Sequence, residues 1–291
     1  MPGWISRIAL TAIVLLVTVN ANAASQQAGG VMGYSAAQIA EFAKRVETDL
    51  AEKSAHVAIV SRVGRSGDEL PDGIRYTHTG FAVYSAIQTA DGRTVPGYVM
   101  YNLYQNQEKL NVSRLVRDYP FDFFSAVMEL KAGVIIPTPK LQQRLLELIG
   151  SQTYTDLHNP RYSAISNPFD ARYQNCTEFL LDVVNAAVYQ TDDRAQVKAR
   201  NQEFFKPQPI AVGPVQRFLG SLFSKEFAFS DHDGRVATAT FTTIAEYMEQ
   251  YGLAQDRFEI TSSQAPSVFY EATQRGPSTG ANRQRDAVHA R

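Results

Sequence analysis

Asn175-Cys-Thr-Glu-Phe-Leu-Leu-Asp-Val-Val-Asn-Ala-Ala-Val188 sets Phe179, Leu180, Val183, Val184, Ala187 and Val188 on one stripe at helical period. That is the pattern of a helix buried along one side, predicted over 175–189. Asn175 is a good N-cap, and Glu178 three positions later completes a capping-box pattern. Cys176 then falls in the first turn, where unpaired backbone N–H groups and the helix dipole favour a thiolate. It is the only cysteine in 291 residues, which excludes an internal disulfide framework and any cysteine-only metal cluster.

A thiolate nucleophile needs a base, and the best candidate lies upstream in Arg75-Tyr-Thr-His-Thr-Gly-Phe-Ala-Val-Tyr84. His78 sits there in a predicted strand, and Gly80 leaves room for another group to approach closely. The next predicted strand, Tyr98-Val-Met-Tyr-Asn-Leu-Tyr104, offers Asn102 as an amide able to orient the imidazole. The competing histidines are His56, which opens its own strand, and His158 and His232, which lie in turn sequences and read as surface groups. His232 with Asp233 has poor spacing for a metal site. No cofactor or metal is expected.

Around this trio the pattern reads as α+β. An amphipathic helix, Ser35 to Ala51, precedes a β-branched strand from His56 to Val63. Two extended segments, 74–87 and 96–105, flank the hairpin signal Asp91-Gly-Arg93. A further strand runs from Val127 to Ile136, so the core strands span 56–136. A helix follows to Ile149, with Thr138 as cap, Pro139 at its first position and Gly150 past its end. Extended segments at 218–229 and 236–241 flank the turn Asp231-His-Asp-Gly234, and a short helix covers 243–251.

The chain opens with Arg7 followed by an apolar run from Ile8 to Val19 and a small-x-small site at Ala21-Asn-Ala23, the layout of a cleaved secretory signal. The predicted organisation is a signal peptide over 1–23, one α+β domain over 24–272 and a disordered tail over 273–291. The expected location is the periplasm. No second apolar run is long enough for a membrane helix. With 28 Lys+Arg against 29 Asp+Glu, no basic excess invites nucleic acid. The predicted substrate is a small molecule, peptide or lipid.

The segments 56–65, 75–81, 135–139, 160–163 and 172–179 together resemble the bacterial secreted family called domain of unknown function 2145. At a deeper level the order of histidine strand, second polar strand and Asn-Cys helix is similar to circularly permuted NlpC-type papain-like hydrolases and the lecithin:retinol acyltransferase group. That resemblance implies a permuted papain-like fold, an antiparallel sheet packed on helices, with Cys176 as nucleophile, His78 as base and Asn102 as orienting group. The expected activity is hydrolysis of an amide or ester bond in a cell-wall peptide or lipid-type substrate. The rival expectation is an inactive periplasmic binding or assembly protein on the same scaffold.

Overall fold

The computed structural model describes residues 33–65, 67, 70–211 and 227–262. The predicted signal peptide and tail lie outside these residues, as does most of the extended segment predicted over 218–229.

Seven helices and eight strands are found among the described residues. Helix α1 (Ala36–Glu52) starts at Ser35, whose side chain accepts from the Gln38 N–H in a reciprocal capping box. Strands β1 (Val57–Val63), β2 (His78–Gln88), β3 (Thr94–Gln105) and β4 (Ser113–Asp118) follow, then α2 (Pro120–Phe124), β5 (Glu129–Pro137), α3 (Pro139–Ile149) and α4 (Gln152–Asp156). Helices α5 (Cys176–Tyr189) and α6 (Arg194–Phe204), the short strands β6 (Gln208–Ile210) and β7 (Val236–Thr238), α7 (Phe241–Gln250) and β8 (Ala254–Thr261) complete the domain.

Six strands form one sheet in the order β4-β3-β2-β1-β5-β8, with every neighbouring pair antiparallel. The molecule is thus a mixed α+β fold, a six-stranded antiparallel sheet covered by helices. Strand alternation divides the core in two. Ile59, Val63, Phe81, Val83 and Leu103 pack with α3, α5 and α7. Ala58, Val60, Ala82, Met100 and Val134 pack with α1 and with Phe123 and Phe124 of α2. Helices therefore cover both faces, and β1, wholly buried along its length, reads in sequence as an apolar run for that reason.

Several elements were not legible in the pattern. Strand β4 carries Arg114, Arg117 and Asp118 and pairs at the edge of the sheet. Edge strand β8 shows strict exposed–intermediate alternation over most of its length. The segment predicted as extended over 236–241 is a strand only to Thr238, because Thr240 caps α7. Gly150 ends α3 with an ordinary negative φ of -78°.

Candidate active site

Asn175 caps α5 as its residue type demands, its side chain accepting from the Glu178 N–H at 2.8 Å. The capping box is not reciprocal. The Glu178 carboxylate turns away to the Lys198 ammonium of α6 at 2.6 Å, and Lys198 also reaches Asp182 at 2.8 Å. These three side chains are buried at the start of the cysteine helix.

Cys176 is the first residue of α5 and is buried. Burial pushes its thiol up to about 11, outweighing the Thr79 and Thr177 N–H groups and the charge of Arg62, which favour the thiolate. The helix start is present, yet it does not produce a resting thiolate. The sulfur lies at the wall of a cavity of about 250 Å³ lined mainly by apolar side chains.

His78 opens β2 and is fully buried. Its Nε2 lies 3.2 Å from Asn102 Oδ1. The Asn102 amide N–H donates to Asp118 Oδ1 at 2.7 Å, and the Tyr104 hydroxyl donates to Asp118 Oδ2 at 2.9 Å. This chain fixes a direction. With its N–H side committed to Asp118, Asn102 offers oxygen to the ring, so His78 carries its proton on Nε2 and Nδ1 holds a lone pair. Nδ1 is buried without a hydrogen-bond partner. Burial and the neighbouring Arg62 charge hold the imidazole well below its usual value, so it is neutral.

The structure therefore brings His78 and Asn102 together and forms no hydrogen bond between His78 and Cys176. Strand parity is the reason. His78 pairs in register with Arg62, and its ring stacks on Tyr104 and leans on Phe123, on the face covered by α1 and α2. The thiol belongs to the α5 face. Sulfur and ring approach β2 at successive residues, Thr79 and His78.

Gly80 has a defined job here. A Cβ at that position would collide with Asn102 Oδ1 and meet the Tyr101 carbonyl at 3.0 Å, so glycine is what lets Asn102 lie flat and reach His78. Gly80→Ala should cost about 1–3 kcal/mol and break the His78–Asn102 contact. Thermal melts and the ¹⁵N shifts of the imidazole check this; an unchanged Nε2–H signal would refute it.

Sequence reasoning missed Arg62, Tyr104 and Asp118. Arg62 is fully buried, donates to the Phe123 carbonyl and lies over the Phe123 and Tyr104 rings at 5.2 and 5.7 Å. A charged residue inside the apolar run of β1 was the available signal. Burial pushes the Asp118 carboxyl up to about 7, although Tyr104, Arg62 and Asn102 each oppose the rise. Two other histidines, His158 and His232, have structural partners. His158 Nε2 meets Ser113 Oγ at 2.9 Å, and the buried His232 ring meets the Ile165 carbonyl at 2.8 Å, so neither is the surface group expected. The described residues hold no cluster of three or more metal-ligating side chains, and no helix among them is long and apolar enough to cross a membrane.

These features define a class: an α+β domain with a sheet between two helical layers and a helix-start cysteine at an apolar cavity. The chain belongs to a bacterial family of uncharacterized proteins, DUF2145, whose profile matches residues 49–248. No curated protein and no solved structure matches it.

Proposed function

We propose that this protein is a periplasmic thiol hydrolase of permuted papain-like type, acting on an amide or ester bond. The observation that carries the reading is the directed chain Asp118–Asn102–His78, which leaves an unprotonated Nδ1 one residue from the amide that meets the Cys176 sulfur. A buried nitrogen left unpaired is costly and calls for a role. Catalytic contacts are often incomplete without substrate. His78 is the first residue of β2, and the β2–β3 pairing stops at Gly80–Asn102; on this reading the ring leaves its Tyr104 stack and its Asn102 contact and turns towards the sulfur when substrate fills the cavity.

Cys176 Sγ attacks the carbonyl carbon while its proton passes to His78 Nδ1. The resulting oxyanion is held by the Cys176 N–H at the helix start. His78 then returns the proton to the leaving nitrogen or oxygen, the carbon–leaving-group bond breaks, and a thioester remains. Water attacks the thioester, giving its proton to His78 and restoring the thiol.

A second reading, a binding protein without turnover, is favoured by the thiol being pushed up to about 11. p-Nitrophenyl esters separate the two. The hydrolase releases a stoichiometric burst of nitrophenol with an acyl mass increment on Cys176. The burst vanishes in Cys176→Ala and slows about 100-fold or more in His78→Gln. Release that is equal in Cys176→Ala, or binding with neither burst nor adduct, overturns the hydrolase reading.

A further inference from the structure

Resting on the hydrolase reading, we propose that the cavity beside Cys176 takes a linear fatty-acyl chain, so that the carbonyl offered to the sulfur is an acyl carbonyl and not that of a charged peptide. The walls are the first argument. Leu70, Ile74, Tyr162, Ile165, Phe227 and Ala239 line the space, and no carboxylate is among its described lining residues. A volume of about 250 Å³ exceeds the roughly 150 Å³ that holds benzene in an apolar cavity, so it has room for more than a ring.

The polar groups in the wall make the second argument, because they are already spent on one another. Asn175 Nδ2 donates to the Ala164 carbonyl and to Thr238 Oγ1, at 3.0 and 3.1 Å. Asn175 Oδ1 accepts from Thr177 Oγ1 and from the Glu178 N–H. The single Thr177 hydroxyl proton is shared between Asn175 Oδ1 and the Ala239 carbonyl, at 2.9 and 2.7 Å. Thr238 Oγ1 donates to the Ser166 carbonyl at 2.9 Å, and Thr240 Oγ1 caps α7 through the Thr243 N–H at 3.1 Å. A peptide entering along this wall would bury backbone N–H and C=O groups against Asn175, Thr177, Thr238 and Thr240 side chains already committed to other partners, whereas a methylene chain asks for none.

Among the described lining residues the one ionised side chain is that of Arg65. The chain enters with its carbonyl at Cys176, at the start of α5, and its methyl end among the apolar side chains.

Calorimetry on Cys176→Ala protein tests the cavity without turnover, using hexanoate, octanoate, decanoate and the glycerol monoester of decanoate. Affinity should rise about fourfold per added methylene until the cavity is full, with a negative heat-capacity change. The decanoate and monoester arms distinguish a free acid from a lipid headgroup source. Ala164→Leu should weaken decanoate at least tenfold. Phe227→Ala, which enlarges the cavity, should move the best chain to greater length and serves if Ala164→Leu fails to fold. Absence of binding, or affinity indifferent to chain length and to both substitutions, would overturn the assignment. If chains bind but wild-type protein forms no acyl-Cys176, the hydrolase reading fails and the cavity assignment stands. If Cys176 is acylated by charged peptide esters in preference to acyl esters, the cavity assignment fails alone.

Discussion

Replacing Lys198 by methionine should lower the melting temperature by about 10 °C at pH 8. Lys198 is buried and ties α6 to the first two turns of α5 through Glu178 and Asp182, at 2.6 and 2.8 Å. Asp182 has further donors in Gln174 and Asn201, at 2.8 and 2.7 Å. Removing the ammonium leaves two buried carboxyls without their cation, a loss of about 3–5 kcal/mol for a broken buried pair. In a domain of this size each kcal/mol moves the midpoint by about 2–4 °C.

The effect depends on pH, with a definite sign. Burial pushes the Glu178 carboxyl up to about 8, with Lys198 opposing and Asp182 reinforcing the rise. A carboxyl raised in the folded state contributes stability at acid pH that is lost as pH climbs through the folded value. Without Lys198 the rise is greater, so the variant's deficit should be smaller at pH 5 than at pH 8. Glu178→Gln added to Lys198→Met should recover much of the loss, because a neutral amide replaces the orphaned acid. Melting within about 2 °C of wild type at pH 8 would show that the ammonium contributes little net stability.

Ester cleavage should increase about tenfold per pH unit below about pH 7 and level off above it, and Asp118→Asn should flatten that rise. The proton on Nε2 of His78 depends on Asn102 presenting its oxygen, which in turn depends on Asp118 accepting from the Asn102 N–H. Once Asp118 is protonated it can donate, Asn102 can reverse, and the ring then carries its proton on Nδ1 and cannot act as base. His78 itself is held well below its usual value by burial and by Arg62, so its titration falls outside this window. The neutral range belongs to Asp118, pushed up to about 7 chiefly by burial.

The same group makes a stability statement. The folded value lies above the ordinary carboxylate value, so the protonated form stabilises the fold below about pH 4 and that contribution fades as pH rises through about 7. Asp118→Asn should therefore gain stability relative to wild type on going from pH 5 to pH 8, by a few kcal/mol. Equal pH slopes for the two proteins, in rate and in melting temperature, would remove Asp118 from the chain.

Local chemistry made much of the scaffold readable. Ser35 and Asn175 announce helix starts because a short side chain must satisfy their unpaired N–H groups. The apolar run of β1 shows because both its faces are covered. Asp91-Gly-Arg93 marks the β2–β3 hairpin because Gly92 takes a positive φ of 81° there. Edge strands β4 and β8 were invisible because an edge tolerates charges and exposed positions that mask a two-residue period.

The residue types of the candidate site were equally legible in the sequence: a cysteine in a capped first turn, a histidine two residues before a glycine, an asparagine on the neighbouring strand. What the sequence by itself determined was that Cys176 begins a buried helix and that His78 and Asn102 lie on adjoining strands, since both follow from short-range periodicity and capping. Only the tertiary structure decided which face of β2 each group occupies. A pairing register flips every side chain when shifted by one residue, and here it sends His78 to Arg62, Tyr104 and Asp118 while the thiol stays with α5. Burial likewise depends on the whole fold, and it is burial that pushes the Cys176 thiol up and the His78 imidazole down.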